Sequence, residues 1–138
     1  MHSFRVLEHT ADVGFEATGA TREEAFVNAA LALQDLSVDL DSIAARDEVS
    51  IAVDGENAQE LLVNWLSQIL YLFDAEGWVL REFKLARLED RGLEAVARGE
   101  RFDRERHHVK LQVKAITYHQ LALEKAPGGW RAQVYVDI

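Results

Sequence analysis

The chain has 138 residues, 49% of them apolar and 28% charged, enough to bury one substantial core without disulfides. It contains no Cys, which removes thiol catalysis, thiolate metal sites and a disulfide framework. Its 24 acids against 15 Lys and Arg leave a net charge of −9, and a surface so negative repels phosphate backbones. Direct tight binding of RNA or DNA is therefore disfavoured, and a cation or a basic protein partner is the better electrostatic match. No leader-like basic flank with an apolar run opens the chain, and no stretch has the ~20 apolar residues of a membrane span. The expectation is a cytoplasmic protein with no membrane partner.

In chain order, Phe4 to His9 and Val13 to Thr18 predict two short strands, the second alternating Val13, Phe15 and Ala17 against Gly14, Glu16 and Thr18. The turn between them sets the carboxylate of Asp12 near the imidazole of His9, more ionisable chemistry than a turn requires. Thr21 to Glu24 matches a capping box, and Ala25, Phe26, Ala29, Ala30, Leu33 and Leu36 then give one apolar helical face. Val49, Ile51 and Val53 predict a strand ending at Asp54-Gly55. Asn57 caps a second helix, whose apolar positions from Ala58 to Phe73 make it the most deeply packed element, and Gly77 is its stop.

The second half reads as strands. Phe83 and Leu85 mark one, Leu93 to Ala97 another, Val109 to Ala115 a third, and Leu121 to Leu123 a fourth. A last strand carries Trp130, Ala132, Val134, Val136 and Ile138 on one face, after a Pro127-Gly128-Gly129 turn. Arg98 to Arg106 reads as a charged loop, with His107 and His108 as loop residues. No internal repeat, linker or low-complexity segment stands out. The pattern predicts an α+β fold: a mainly antiparallel sheet with two helices on one face, in a single compact domain spanning 1–138.

Familiar enzyme motifs are missing: no phosphate-binding Gly-rich loop, no dinucleotide fingerprint, no His-Glu-x-x-His and no nucleophile elbow. The remaining candidates are polar groups at strand ends. Asp137 alternates away from the Val134/Val136 face, and if the last strand lies beside the first ones it converges with Asp12. Paired carboxylates repel unless protonated or bridged by a cation. With the main-chain oxygens of Ile138 they would form an all-oxygen set suited to Ca²⁺ or Mg²⁺ rather than Zn²⁺. The plainer alternative is two unrelated solvated aspartates. Lys114, on the polar face of its strand, could moderate that repulsion, meet a phosphate, or simply be a solvated lysine that blunts a sheet edge. His9 and His119 read either as partner-facing or supporting groups or as hydrogen-bonded structural histidines.

Four segments together resemble the archease family: Glu8 to Gly14, Leu61 to Leu66, Val113 to His119, and the closing Val136-Asp137-Ile138. They lie in order and in register over nearly the whole chain. The departures are small, with Asn64 where an acid is frequent and Ile116 an aliphatic exchange. The resemblance implies an accessory protein rather than a catalyst. Such a protein activates the GTP-dependent RNA ligase of tRNA splicing and RNA repair, promoting guanylylation of the ligase's active-site histidine and its repeated turnover. It also implies a divalent metal, Ca²⁺ first with Mg²⁺ or Mn²⁺ as alternatives, whose ligands carry over to Asp12, Asp137 and Ile138. An older reading of the family is a chaperone-like modulator of a tRNA cytosine methyltransferase. A small metal-dependent hydrolase is the third alternative, but it lacks an identifiable nucleophile or base.

Overall fold

A computed structural model describes residues 3–8 and 12–138. Strands β1 (Phe4–Glu8) and β2 (Val13–Gly19) lead into helix α1 (Arg22–Ser37) and a 3₁₀ turn at Leu40–Ser42. Strand β3 (Asp47–Asp54) and helix α2 (Ala58–Glu76) come next. Then come β4 (Trp78–Leu88), β5 (Gly92–Arg101), the short β6 (Ala115–Ile116), β7 (Ala122–Ala126) and β8 (Gly129–Asp137). Every strand pair is antiparallel, in the α+β arrangement the sequence predicts.

The strands divide between two sheets, a point that strand patterning alone does not reveal. One runs β1-β2-β8-β6, with β7 also on β8; the other runs β3-β5-β4. Strand β8 is the spine of the first, with β2 along one edge and β7 and then β6 end to end along the other. Each helix touches both sheets: α1 packs on β2, β8 and β4, while α2 packs on β3, β4, β5, β6 and β7. The helix pair thus bridges the sheets around one core containing Phe15, Phe26, Trp65, Leu66, Leu80 and Val134.

Two polar side chains lace the helices into this core. The buried indole N–H of Trp65 donates to the Phe26 carbonyl at 3.0 Å, joining α2 to α1, and its ring meets Phe83 edge-on at 5.7 Å. Gln34, only 4% exposed, accepts from the Leu80 N–H at 2.9 Å beside an irregularity in β4. Each bond satisfies a buried donor whose orphaning would cost ~1–3 kcal/mol.

The helix starts are built alike. Thr21 Oγ1 accepts from the Glu24 N–H, and Asn57 Oδ1 from the Glu60 N–H. One turn further in, Asn28 and Asn64 each donate to a carbonyl of the preceding strand, Thr18 and Asp54, both at 2.7 Å. Gly19 and Gly55 sit two residues before the caps, each pressed against the first turn of its helix. Gly19, Thr21, Glu24, Val27 and Asn28 are therefore answered by Gly55, Asn57, Glu60, Val63 and Asn64 at one constant spacing. The strand–helix unit β2-α1 recurs as β3-α2, a repeat not apparent from the sequence alone. Asn64, the departure from the family pattern, is the residue that completes the second unit. Helix α2 ends where Gly77 adopts φ 74°, its N–H on the Phe73 carbonyl at 2.9 Å.

Two segments differ from their sequence reading. Of the strand predicted at Val109 to Ala115, only Ala115 pairs regularly, with Ile116, in β6. The chain here crosses from the end of α1, where Lys110 N–H meets the Ser37 carbonyl, to the end of β8, where Lys114 N–H meets the Asp137 carbonyl. No single neighbour runs alongside it, so the alternation forms no ladder. The charged stretch Arg98 to Arg106 is half strand, and it carries a buried carboxylate. Glu100 is 3% exposed and accepts from Arg106 at 2.5 and 3.1 Å and from the Ala44 N–H at 2.8 Å. His107, 1% exposed, completes the set, with Nε2 2.9 Å from Glu100 and Nδ1 accepting from the Asp103 N–H at 2.8 Å. Because Nδ1 accepts, the ring proton sits on Nε2 and donates to the carboxylate.

The Arg106 guanidinium, helped by Ala44 N–H and His107 and opposed by burial, lowers Glu100 from the ordinary 4.5 to about 2. A depressed folded-state pKa stabilises above the unfolded value, and that stability disappears as pH falls from about 4.5 towards 2. Urea midpoints measured across this range should fall steeply for the wild type and less for Glu100→Gln. At neutral pH that variant should be less stable by about 2 kcal/mol, less than a fully buried pair because Arg106 is half-exposed.

Candidate functional site

The β2–β8 register decides where Asp12 and Asp137 lie. Val13 pairs with Val136, Gly14 with Tyr135, and Glu16 with Gln133. Asp12 and Asp137 are the next positions along their respective segments, so they stand together at the end of this ladder. Buried Phe15, Ala17, Ala132, Val134 and Val136 fill the core-facing side. By the same alternation Asp12 and Asp137 share the outward parity with Gly14, Glu16, Gln133 and Tyr135. Asp12 is half-buried and Asp137 exposed. Among the described residues neither carboxylate has an ion-pair partner.

The segment on the other edge of β8 holds this end in place. Ala115 pairs with Asp137, and Lys114 N–H donates to the Asp137 carbonyl at 2.8 Å. Thr117 then delivers both its N–H, at 3.1 Å, and its hydroxyl, at 2.9 Å, to the carbonyl of Tyr135. The same hydroxyl oxygen accepts from the His119 N–H at 3.2 Å. Gln120 closes the turn at φ 48°, in the left-handed region, and its carbonyl accepts from Gln133 at 2.9 Å. The His119 ring meets the Tyr135 ring edge-on at 5.6 Å, while Tyr118 is 59% exposed.

Further along the same outer face, charge is paired internally. Glu16 accepts from Arg131 at 2.5 Å and from Arg5 at 3.1 Å, and Arg131 also donates to Glu124 at 2.8 Å and to Gln133. Arg131 foremost, with Arg5, holds the Glu16 carboxyl below its ordinary range. Among the described residues the carboxylates at the acidic end of the face make no such ion pair.

The structure sorts the candidate residues by place. Asp12 and Asp137 are brought to one rim, with Ile138 directly after the second, its side chain 45% exposed. Lys114 reaches that rim through its backbone, and its side chain is exposed. His119 stands against Tyr135 rather than free in a loop. His9 lies outside the described residues. Among the described residues no group of three His, Asp or Glu side chains is poised to hold a metal. The two carboxylates offer an oxygen-only donor set suited to a hard cation, but they fill only part of its shell of six to eight ligands. The main chain of Ile138, water or a partner would have to supply the rest. Sequence reading missed Gly14 and Tyr135: a Cβ on Gly14 would lie 2.7–3.0 Å from carbons of the Tyr135 ring. A glycine opposite an aromatic residue shows only once the register is known.

Fold and site together define a small α+β domain whose outer sheet face ends in an acidic, oxygen-donor rim. Comparison with known proteins agrees: residues 4–138 match the Archease protein family, and the chain belongs to that family. It is 42% identical to the protein archease of Methanosarcina mazei over 139 residues, covering 98% of this chain and 95% of the other. With the Pyrococcus furiosus protein archease it shares 44% over 142 residues and the full length of both. A solution structure of protein 1598 from Methanobacterium thermoautotrophicum superposes with TM-score 0.81 at 30% identity, covering both chains entirely. The crystal structure of an archease from Thermotoga maritima, described as a possible chaperone, gives TM-score 0.64 at 21% identity over 100% of this chain and 99% of the other.

The Thr117 hydroxyl is the latch between the β6 segment and β8. Thr117→Val should cost about 1 kcal/mol or slightly more, and amide exchange at Lys114 and Thr117 should quicken well before global unfolding. Exchange measured by NMR on the folded protein checks this.

Proposed function

We propose that this archease is a non-catalytic accessory protein that activates a GTP-dependent RNA ligase of tRNA splicing and RNA repair. It promotes guanylylation of the ligase's active-site histidine and sustains multiple turnover, with a divalent cation held at Asp12, Asp137 and Ile138. The observation that carries the reading is the pair of carboxylates at the end of the β2–β8 ladder, which have no ion-pair partner among the described residues. The repeated unit supplies an internal comparison. The position that answers Asp12 in β3 is Glu48, which pairs with Arg98 of β5, and their side chains approach to 4.0 Å. Where the second sheet joins an acid to a base, the first joins an acid to an acid. Such a pair is stabilised by a cation brought from outside.

The donor set favours Ca²⁺, with Mg²⁺ or Mn²⁺ as alternatives, since all its ligands are oxygens. When bound, the ion supplies positive charge to stabilise a transferring phosphoryl group. The chain's own residues fix where that charge stands: β2 and β8 set the spacing, and the Lys114 amide holds the Asp137 backbone. The net charge of −9 fits docking on a basic RNA-processing enzyme, where complementary fields speed encounter, better than docking on RNA itself. No described helix is long and apolar enough to cross a membrane.

A second reading, a chaperone-like modulator of a tRNA cytosine methyltransferase, draws on the description of the Thermotoga maritima relative as a possible chaperone. The two separate cleanly. Wild-type protein should co-purify with the ligase and raise its guanylylation over many cycles. Asp12→Ala or Asp137→Ala should fold and still bind, but lose that stimulation about tenfold or more. Undiminished stimulation by folded variants would remove the cation from the mechanism. Stimulation of the methyltransferase with none of the ligase would favour the second reading.

A further inference from the structure

Beside the acidic rim lies the aromatic ring of Tyr135. Tyr135 lies on the outward face of β8, yet it is only 6% exposed, while Asp137, two residues on with the same parity, is open to solvent. The ring is covered because it lies across the β2 backbone at Gly14, in the space where any other residue would place its Cβ. Its second support is the His119 ring, edge-on at 5.6 Å, carried by the turn that Gln120 closes in the left-handed region. Its carbonyl is fixed as well, by the two donors of Thr117. Three segments of the chain therefore converge on one residue.

That residue neighbours both carboxylates. Gly14 and Tyr135 form the cross-strand couple two residues inward from Asp12 and Asp137, about 7 Å along each strand and on the same face. Cross-strand neighbours on one face restrict one another's rotamers. A rigid ring fills the place of a Gly14 side chain and so occupies the inward side of the positions held by Asp12 and Asp137. The repeated unit again provides contrast. Ser50 stands where Gly14 does and pairs with Val96, with no aromatic ring and no glycine cleft. There the neighbouring acid, Glu48, stands opposite Arg98 instead, their side chains 4.0 Å apart.

We propose that Tyr135, seated in the cleft left by Gly14 and braced by His119, is a positioning residue that holds Asp12 and Asp137 in the orientation a divalent cation requires. This rests on the cation site of the proposed function. Supporting groups of this kind typically change metal affinity about 10- to 100-fold when altered. Mg²⁺ demands near-ideal geometry while Ca²⁺ tolerates a looser shell, so a misplaced pair loses affinity for the two ions unequally.

Calorimetric titration of the metal-free protein with Ca²⁺, and separately with Mg²⁺, tests the proposal. Gly14→Ala pushes the ring aside, and Tyr135→Leu removes it. Both should lose about 10- to 100-fold in affinity, with an altered Ca²⁺-to-Mg²⁺ ratio, whereas Tyr135→Phe, which keeps the ring, should stay close to wild type. Glu100→Gln, destabilised in a different part of the molecule, should keep both affinities when measured well below its Tm. If Gly14→Ala and Tyr135→Leu bind both ions as the wild type does, or lose both in parallel with Glu100→Gln, the positioning role is overturned and the cation site stands. If the wild type binds neither ion, the site itself is overturned and the positioning role with it. Asp137→Asn distinguishes binding at this rim from binding elsewhere, since it should abolish the heat.

Discussion

Strand β8 governs this structure, because its ladder with β2 fixes the positions of Asp12 and Asp137 at once. A slip of one residue would turn Val134 and Val136 out of the core and bring Tyr135 and Gln133 in. The apolar stripe Ala132, Val134, Val136 against Phe15 and Ala17 excludes that slip. Gly14 excludes a slip of two residues, which would keep Tyr135 outward, since among the residues of β2 that face outward it alone leaves room for the ring. The place of Asp12 beside Asp137 is therefore a consequence of core packing. Burial energy, which is non-directional, is converted by the pleat into a definite placement of two charges at the rim.

The recurrence of one strand–helix unit gives that placement its meaning. Both units solve the same local problem in the same way: a glycine where the strand meets the helix, a cap, and an Asn tying the helix back to its strand. Their helices then diverge in side-chain size. Helix α1 uses small residues, Ala29 and Ala30, where α2 uses Trp65 and Leu66, and the indole of Trp65 reaches across to the α1 backbone. The large side chains of one helix thus fill space left by the small ones of the other. The sheets diverge in charge as well. Glu48 stands opposite Arg98, whereas Asp12 stands beside Asp137 with no ion-pair partner among the described residues.

How much the sequence reveals depends on how local each cause is. Thr21, Asn57 and Gly77 act within one helical turn, so their roles can be read directly. The alternations of β2, β3 and β8 are equally plain, because one face of each is buried. Glu100 and His107 are opaque for the opposite reason. Their partners include Ala44 and Asp103, and nothing in a run of alternating Arg and Glu distinguishes the one acid that turns inward. The repeat is hidden because its apolar positions keep polarity but not size, as Ala29 against Trp65 shows. The segment from Val109 to Ala115 has a strand's alternation without a strand's neighbour, since its hydrogen bonds go first to the end of α1 and then to the end of β8. At the site, Asp12 and Asp137 are legible as a pair only on the condition that β8 lies beside β2, and the ring that separates them from the rest of the face is not legible at all.

An acidic rim that supplies only part of a coordination shell is well matched to an accessory role. A cation enclosed by six or more protein oxygens is a structural fixture, with little charge left to offer. A cation held by two carboxylates at an exposed strand end keeps open positions, which can be filled by groups on a partner or on its substrate. The cost of gathering the two like charges has already been met by the core that sets the β2–β8 register. The same logic explains why the rest of that face is internally neutralised. Glu16 is satisfied by Arg131 and Arg5, whereas the rim carboxylates make no ion pair among the described residues. A partner guided by charge would therefore be drawn towards the end where the carboxylates stand.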